Sequence, residues 1–97
     1  MVTYKILQIK DIANTAYAFR PYVQTLFNIE DYDLRFTGQA QDYPDLELCD
    51  AIYHFFNCGQ PANFSGHSLS ISDLIQLESE DEIRLYYCDL IGWIRLK

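Results

Sequence analysis

The sequence predicts an α+β domain, a mainly antiparallel sheet with one or two helices packed on one face, and three observations predict it. Alternating apolar and polar runs near the start and in the last quarter read as strands. An amphipathic stretch in the middle reads as a helix. The strand-rich end lacks the regular alternation with helices that would build a parallel sheet. At 97 residues the chain supports one core, so residues 1–97 form a single domain.

The elements follow in order. From Thr3 to Lys10, Tyr4, Ile6, Leu7 and Ile9 sit in an extended run, the first strand. Asp11 to Arg20 reads as a loop carrying two aromatics. Pro21 opens a short helix to about Ile29, with Val23, Leu26 and Phe27 at the spacing of one face. Tyr32, Leu34 and Phe36 alternate with Asp33, Arg35 and Thr37, a half-buried strand ending in a turn at Gly38. Pro44 to Asn57 is the clearest helix, with Asp45 and Glu47 in its first turn and a stop near Cys58-Gly59. Its expected buried stripe is Leu46, Cys49, Ile52, Tyr53 and Phe56. Gln60 to Ser70 is irregular, with Phe64 and Leu69 fixing it to the core. Ser70 or Ser72 is expected to cap a single helical turn at Asp73. Leu74 to Leu77 and Ile83 to Leu90 then make a hairpin around the acidic loop Glu78–Glu82, and Gly92 to Leu96 adds a last short strand.

Composition narrows the function. Fourteen acidic against seven basic side chains give a net charge of −7, which repels phosphate backbones and favours a basic partner over direct nucleic-acid binding. The three cysteines, Cys49, Cys58 and Cys88, are odd in number and form no CxxC, so neither a disulfide framework nor a zinc module is expected, and a reducing cytoplasm is the natural setting. No signal peptide and no membrane-spanning run is read. Cys49 and Cys88 read as small buried hydrophobes. Cys49, His54, Cys58 and His67 do supply metal-ligand types, with His54 and Cys58 four residues apart on one helical face, but their spacing matches no standard zinc module. His67, Ser68 and Asp73 contain the residue types of a hydrolase triad without a GxSxG elbow, and serve better as turn residues that bond the backbone. No catalytic residue, metal or cofactor is expected, and the chain reads as a binding protein rather than an enzyme.

The acidic residues carry the binding hypothesis. The plain reading of such runs is a solvated face that keeps the protein soluble. The sharper reading is a surface that imitates nucleic-acid phosphates and occupies the basic groove of a nucleic-acid-binding enzyme. Glu30, Asp31, Asp33, Asp42, Asp45, Glu47 and Asp50 then form one arc, and Glu78, Glu80, Asp81 and Glu82 another. Eight tyrosines serve either a binding surface or the rim of a core, with Tyr17, Tyr22 and Tyr43 expected to be exposed. Exposed tyrosines and an unpaired sheet edge also offer a surface for homodimerisation.

From Phe55 to Asp89 the chain carries Phe56-Asn57, Pro61, Phe64, then Gly66-His67-Ser68-Leu69-Ser70 with Ser72-Asp73, Ile75, Tyr86-Tyr87 and Asp89. That pattern, with GHSLSxSD its most specific part, resembles the YodL-like domain. Tyr4, Phe19-Arg20-Pro21-Tyr22, Tyr32 and Gly38 extend the likeness to nearly the whole chain, and Gly92-Trp93 stands where Gly-Phe would be typical. The resemblance implies a small domain of bacterial mobile elements and phages, often one module of very large polyvalent proteins, with no established activity. An acidic product of such an element fits a counter-defence protein that blocks a restriction or CRISPR nuclease, by analogy of setting. An adaptor domain whose acidity only confers solubility is the rival.

Overall fold

The computed structural model describes every residue from Met1 to Lys97. Five strands, β1 (Val2–Ile9), β2 (Tyr32–Ala40), β3 (Leu74–Glu78), β4 (Ile83–Cys88) and β5 (Trp93–Arg95), form one sheet in the order β2-β1-β3-β4-β5. Every neighbouring pair is antiparallel, and one helix, α1 (Asp45–Cys58), carries the chain from β2 past β1 to β3. The expected α+β class is what forms.

β1 is an inner strand, between β2 and β3, with apolar side chains on both of its faces. Val2, Tyr4 and Ile6 meet α1, whose Leu48, Cys49, Ile52 and Phe56 complete the main core with Leu69, Ile75, Leu77 and Tyr86. Each such side chain taken out of water is worth about 1.5–3 kcal/mol. Ile9, on the other face, joins Tyr17, Tyr32, Leu74, Leu85 and Tyr87 in a second core. The Lys10–Asp31 connection roofs that second core, so packing occupies both faces although α1 lies on one.

The register gives the sheet two distinct ends. Val2 pairs with Ala40 and Thr3 with Glu78, so the end of β2 and the β3–β4 hairpin share one end. Ile9 pairs with Tyr32, and Cys88 with Trp93, so the Lys10–Asp31 connection and the β4–β5 turn share the other.

Several expectations need correction. Pro21 to Ile29 forms no helix: Val23 closes one turn onto Leu26 and Phe27, and Asn28 caps a single 3-10 turn at Ile29–Asp31. Nine residues are too few for a helix to persist without a continuous buried stripe, and here the Tyr22 and Phe27 rings turn inward against Tyr87 instead. β2 does not stop at Gly38. The Tyr4 ring crosses it so closely that an added Cβ would meet Tyr4 Cζ at 2.5 Å, so glycine here lets strand and ring coexist. In α1 the buried stripe includes Leu48, while Leu46 is 55% exposed, because Asp45 faces β4 and sets the phase. Ser70 to Asp73 is a tight turn rather than a capped helical turn, with Ser72 at φ 81° and the Asp73 carboxylate itself accepting the Ser70 N–H. β4 ends at Cys88, short of Leu90. Tyr43 is exposed as expected, but Tyr17 is buried and Tyr22 half-buried.

Candidate functional site

The structure regroups the acidic residues. Glu30 and Asp31 lie in the 3-10 turn before β2 and Asp33 near its start, all at the end of the Lys10–Asp31 connection. Asp31 is occupied internally, accepting the Tyr17 hydroxyl at 2.7 Å. At the opposite end, Asp42 follows β2, Asp45 and Glu47 open α1, and Glu78, Glu80, Asp81 and Glu82 surround the β3–β4 hairpin. Asp50 stands apart on α1, accepting the Trp93 indole N–H at 2.9 Å. The chain's two acidic stretches therefore meet at one end of the sheet, without Glu30, Asp31, Asp33 and Asp50.

Arg84 joins them. Its guanidinium grips Asp45 through Nε at 2.6 Å and Nη2 at 3.0 Å, while Nη1 donates to Ser79 Oγ at 2.7 Å and reaches Glu82 at 3.4 Å. The Tyr86 hydroxyl donates at 2.6 Å to Asp45 Oδ2, the oxygen that also accepts from Arg84 Nε. Burial alone would raise the Asp45 pKa, but the bonds from Arg84 and Tyr86 outweigh it and hold the carboxyl below its ordinary value. Lys5 lies 2.8 Å from Glu78 and, with Gln76, lowers the pKa of that carboxyl as well. Arg95 approaches Glu82 at 3.9 Å. Glu80 and Asp81, at the hairpin tip, are exposed and make no ion pair, and Glu47 makes none either.

The GHSLSxSD segment, Gly66 to Asp73, folds around a buried polar cluster. Gln8, fully buried on β1, donates through Nε2 to Asp73 Oδ2 at 3.0 Å and to the His67 carbonyl at 2.9 Å, while its Oε1 accepts the His67 N–H at 3.2 Å. The same Asp73 oxygen accepts the Ser70 N–H at 2.9 Å. Gly66 is required here, since a Cβ would run into the Gln8 carboxamide. Burial pushes the Asp73 carboxyl up to about 6, against the lowering effect of the bonds from Ser70 and Gln8. The Gln8 side chain stands between Asp73 and His67, and the Ser68 hydroxyl meets Gln60 Nε2 at 3.4 Å, so the three triad residue types do not form a relay. Two side chains of the segment hold backbone N–H groups, Asp73 that of Ser70 and Ser72 that of Phe19.

No group of three His, Cys, Asp or Glu side chains is gathered as metal ligands; His54 and Cys58 approach each other at 3.7 Å, and Cys49 and Cys88 are buried. Sequence reasoning did not reach Gln8, although a glutamine inside an apolar strand was the available signal. It also did not reach the groove beside Trp93, about 290 Å³, between α1 and the β4–β5 turn.

No helix is long and apolar enough to cross a membrane. A search of curated proteins and of solved structures finds no match. A family model does match: the YodL-like domain, over residues 3–97, which includes the Gly66–Asp73 segment and all five strands but for Val2 at the start of β1. The chain belongs to the YodL-like domain family.

Proposed function

We propose that this chain is a non-enzymatic protein-binding module of a mobile element or phage, and that its acidic end occupies the basic groove of a nucleic-acid-binding protein, a restriction or CRISPR nuclease being the class that fits. The observation that supports this is the charge left over at that end. Lys5, Arg84 and Arg95 are engaged with Glu78, Asp45 and Glu82, whereas Glu80, Asp81 and Glu47 have no cation and Asp42 has only the Met1 amino group at 3.6 Å. Lys97 is the one further cation lining the hairpin hollow. Carboxylates held on a β-hairpin and a helix start are displayed on rigid elements, as a phosphate mimic requires.

The adaptor reading draws support from the internal use of Asp31, Asp45, Glu78 and Glu82. Salt dependence separates the two, because exposed charge pairs are screened and apolar contacts are not. A tagged pull-down from lysate of a bacterium carrying such an element, eluted with rising salt and identified by mass spectrometry, is the experiment. A basic nucleic-acid-binding protein released at moderate salt supports the mimic; acidic or neutral partners held through salt-resistant contacts leave the adaptor.

A further inference from the structure

The β4–β5 turn runs Asp89-Leu90-Ile91-Gly92 and is closed by the Asp89 N–H on the Gly92 carbonyl at 3.0 Å. Turn tips ordinarily carry polar residues that bond the backbone or water. Here Leu90 is 66% and Ile91 90% exposed, and neither belongs to either core. Ile91 is almost wholly open to solvent, and Leu90 lines the groove beside Trp93.

Beside them lies the groove of Trp93. The indole is fixed in two ways: its N–H on Asp50, and the Tyr53 ring edge-on at a centroid distance of 6.1 Å. A half-exposed tryptophan held in one orientation is a preformed contact, since little side-chain entropy remains to be lost on binding. The groove's rim carries Asp50 and Asp89 and no Lys or Arg. This surface sits at the end of the sheet occupied by the β4–β5 turn, away from the β3–β4 hairpin.

We propose that the Leu90-Ile91 turn and the Trp93 groove form a second docking surface, for a partner segment that presents apolar side chains flanked by Lys or Arg. The apolar groups cover Leu90, Ile91 and the indole; the cations meet Asp50, Asp89 and the aromatic faces. Charge complementarity selects this occupant over a second copy, because two copies would bring these carboxylates and net charges of −7 together. The surface is independent of the acidic end, and the proposal stands whether or not the phosphate-mimic reading does.

Trp93 is the only tryptophan, so its emission reports occupancy of the groove directly. The probes are two synthetic helical peptides with the same leucine face, one with lysine and one with glutamate on the polar face. The lysine peptide is expected to shift Trp93 emission saturably, and the glutamate peptide to bind at least about tenfold more weakly. The double variant L90S/I91S, with an unchanged circular dichroism spectrum, is expected to lose about tenfold or more in affinity, while E80Q/D81N at the other end binds as before. Equal binding of both peptides, retention by L90S/I91S, or loss with E80Q/D81N would overturn the proposal. A shift that grows with protein concentration alone assigns the surface to a second copy, and one produced by phosphatidylcholine vesicles assigns it to lipid; either also overturns it.

Discussion

The backbone N–H of Phe19 donates to Ser72 Oγ at 3.0 Å, and these are the chain's two non-glycine residues with positive φ, 61° and 81°. The bond ties the Lys10–Asp31 connection to the turn before β3. Ser72 is buried, and its carbonyl also accepts the Tyr32 hydroxyl at 2.6 Å. A left-handed conformation costs an L-residue about 1–2 kcal/mol and persists where surrounding bonds over-determine it. Ser72→Ala keeps the strain and orphans the Phe19 N–H, so a loss of about 1–3 kcal/mol in urea unfolding is expected. Ser72→Gly loses the same bond but relieves the backbone, and should be more stable than the alanine variant by about 1 kcal/mol. Equal stability of the two variants would show that the backbone there is unstrained.

Asp73 makes stability depend on pH in an unusual direction. Its folded-state pKa, about 6, exceeds its ordinary 3.8, so between those values the folded chain holds the proton more tightly than the unfolded one. Stability from this group is full below about pH 4 and is lost as pH rises through about 6, by up to about 3 kcal/mol. Urea unfolding at pH 5 and pH 7 should find the protein more stable at pH 5. Relief of the net charge acts in the same sense, so Asp73→Asn is the control: it should flatten the slope between pH 4.5 and 6.5 without removing it entirely.

The Arg84–Asp45 pair is a structural clamp between β4 and α1. Arg84 has a side chain 10% exposed against 22% for Asp45, so removing one partner strands a largely buried charge. Asp45→Ala should cost about 2–4 kcal/mol, and adding Arg84→Met should recover a large part of that loss. Because Asp45 is lowered from its ordinary pKa, its contribution is present above that ordinary value and disappears on acidification below it. Loss of partner binding in an Asp45 variant would therefore report on the fold rather than on a binding surface.

The legible parts of the sequence were those whose period is set by burial on a defined face. β1, α1 and the β3–β4 hairpin each show their apolar spacing locally, and Pro44 with Asp45 and Glu47 marks where α1 begins. What escaped depended on partners far along the chain. The phase of α1 is fixed by Arg84, 39 residues on, which turns Leu46 outward. Gly38 reads as a stop until the Tyr4 ring across the sheet explains it. Tyr17 sits in a stretch without periodicity, and it is buried by packing against Phe27 and Tyr32 and by its bonds to Asn28 and Asp31. The acidic residues showed their number but not their neighbours, because strand order decides which of them meet.

A phosphate mimic and the nucleic acid it imitates must exclude one another. The deciding measurement takes the partner captured by the tagged protein and titrates it with duplex DNA or with single-stranded RNA, beside a D42N/E80Q/D81N variant whose substitutions avoid every side chain engaged with Arg84. Displacement by the nucleic acid, together with a loss of at least about tenfold in affinity for the variant, is the predicted result. A stable ternary complex that the variant forms equally well would contradict the acidic end as the binding surface.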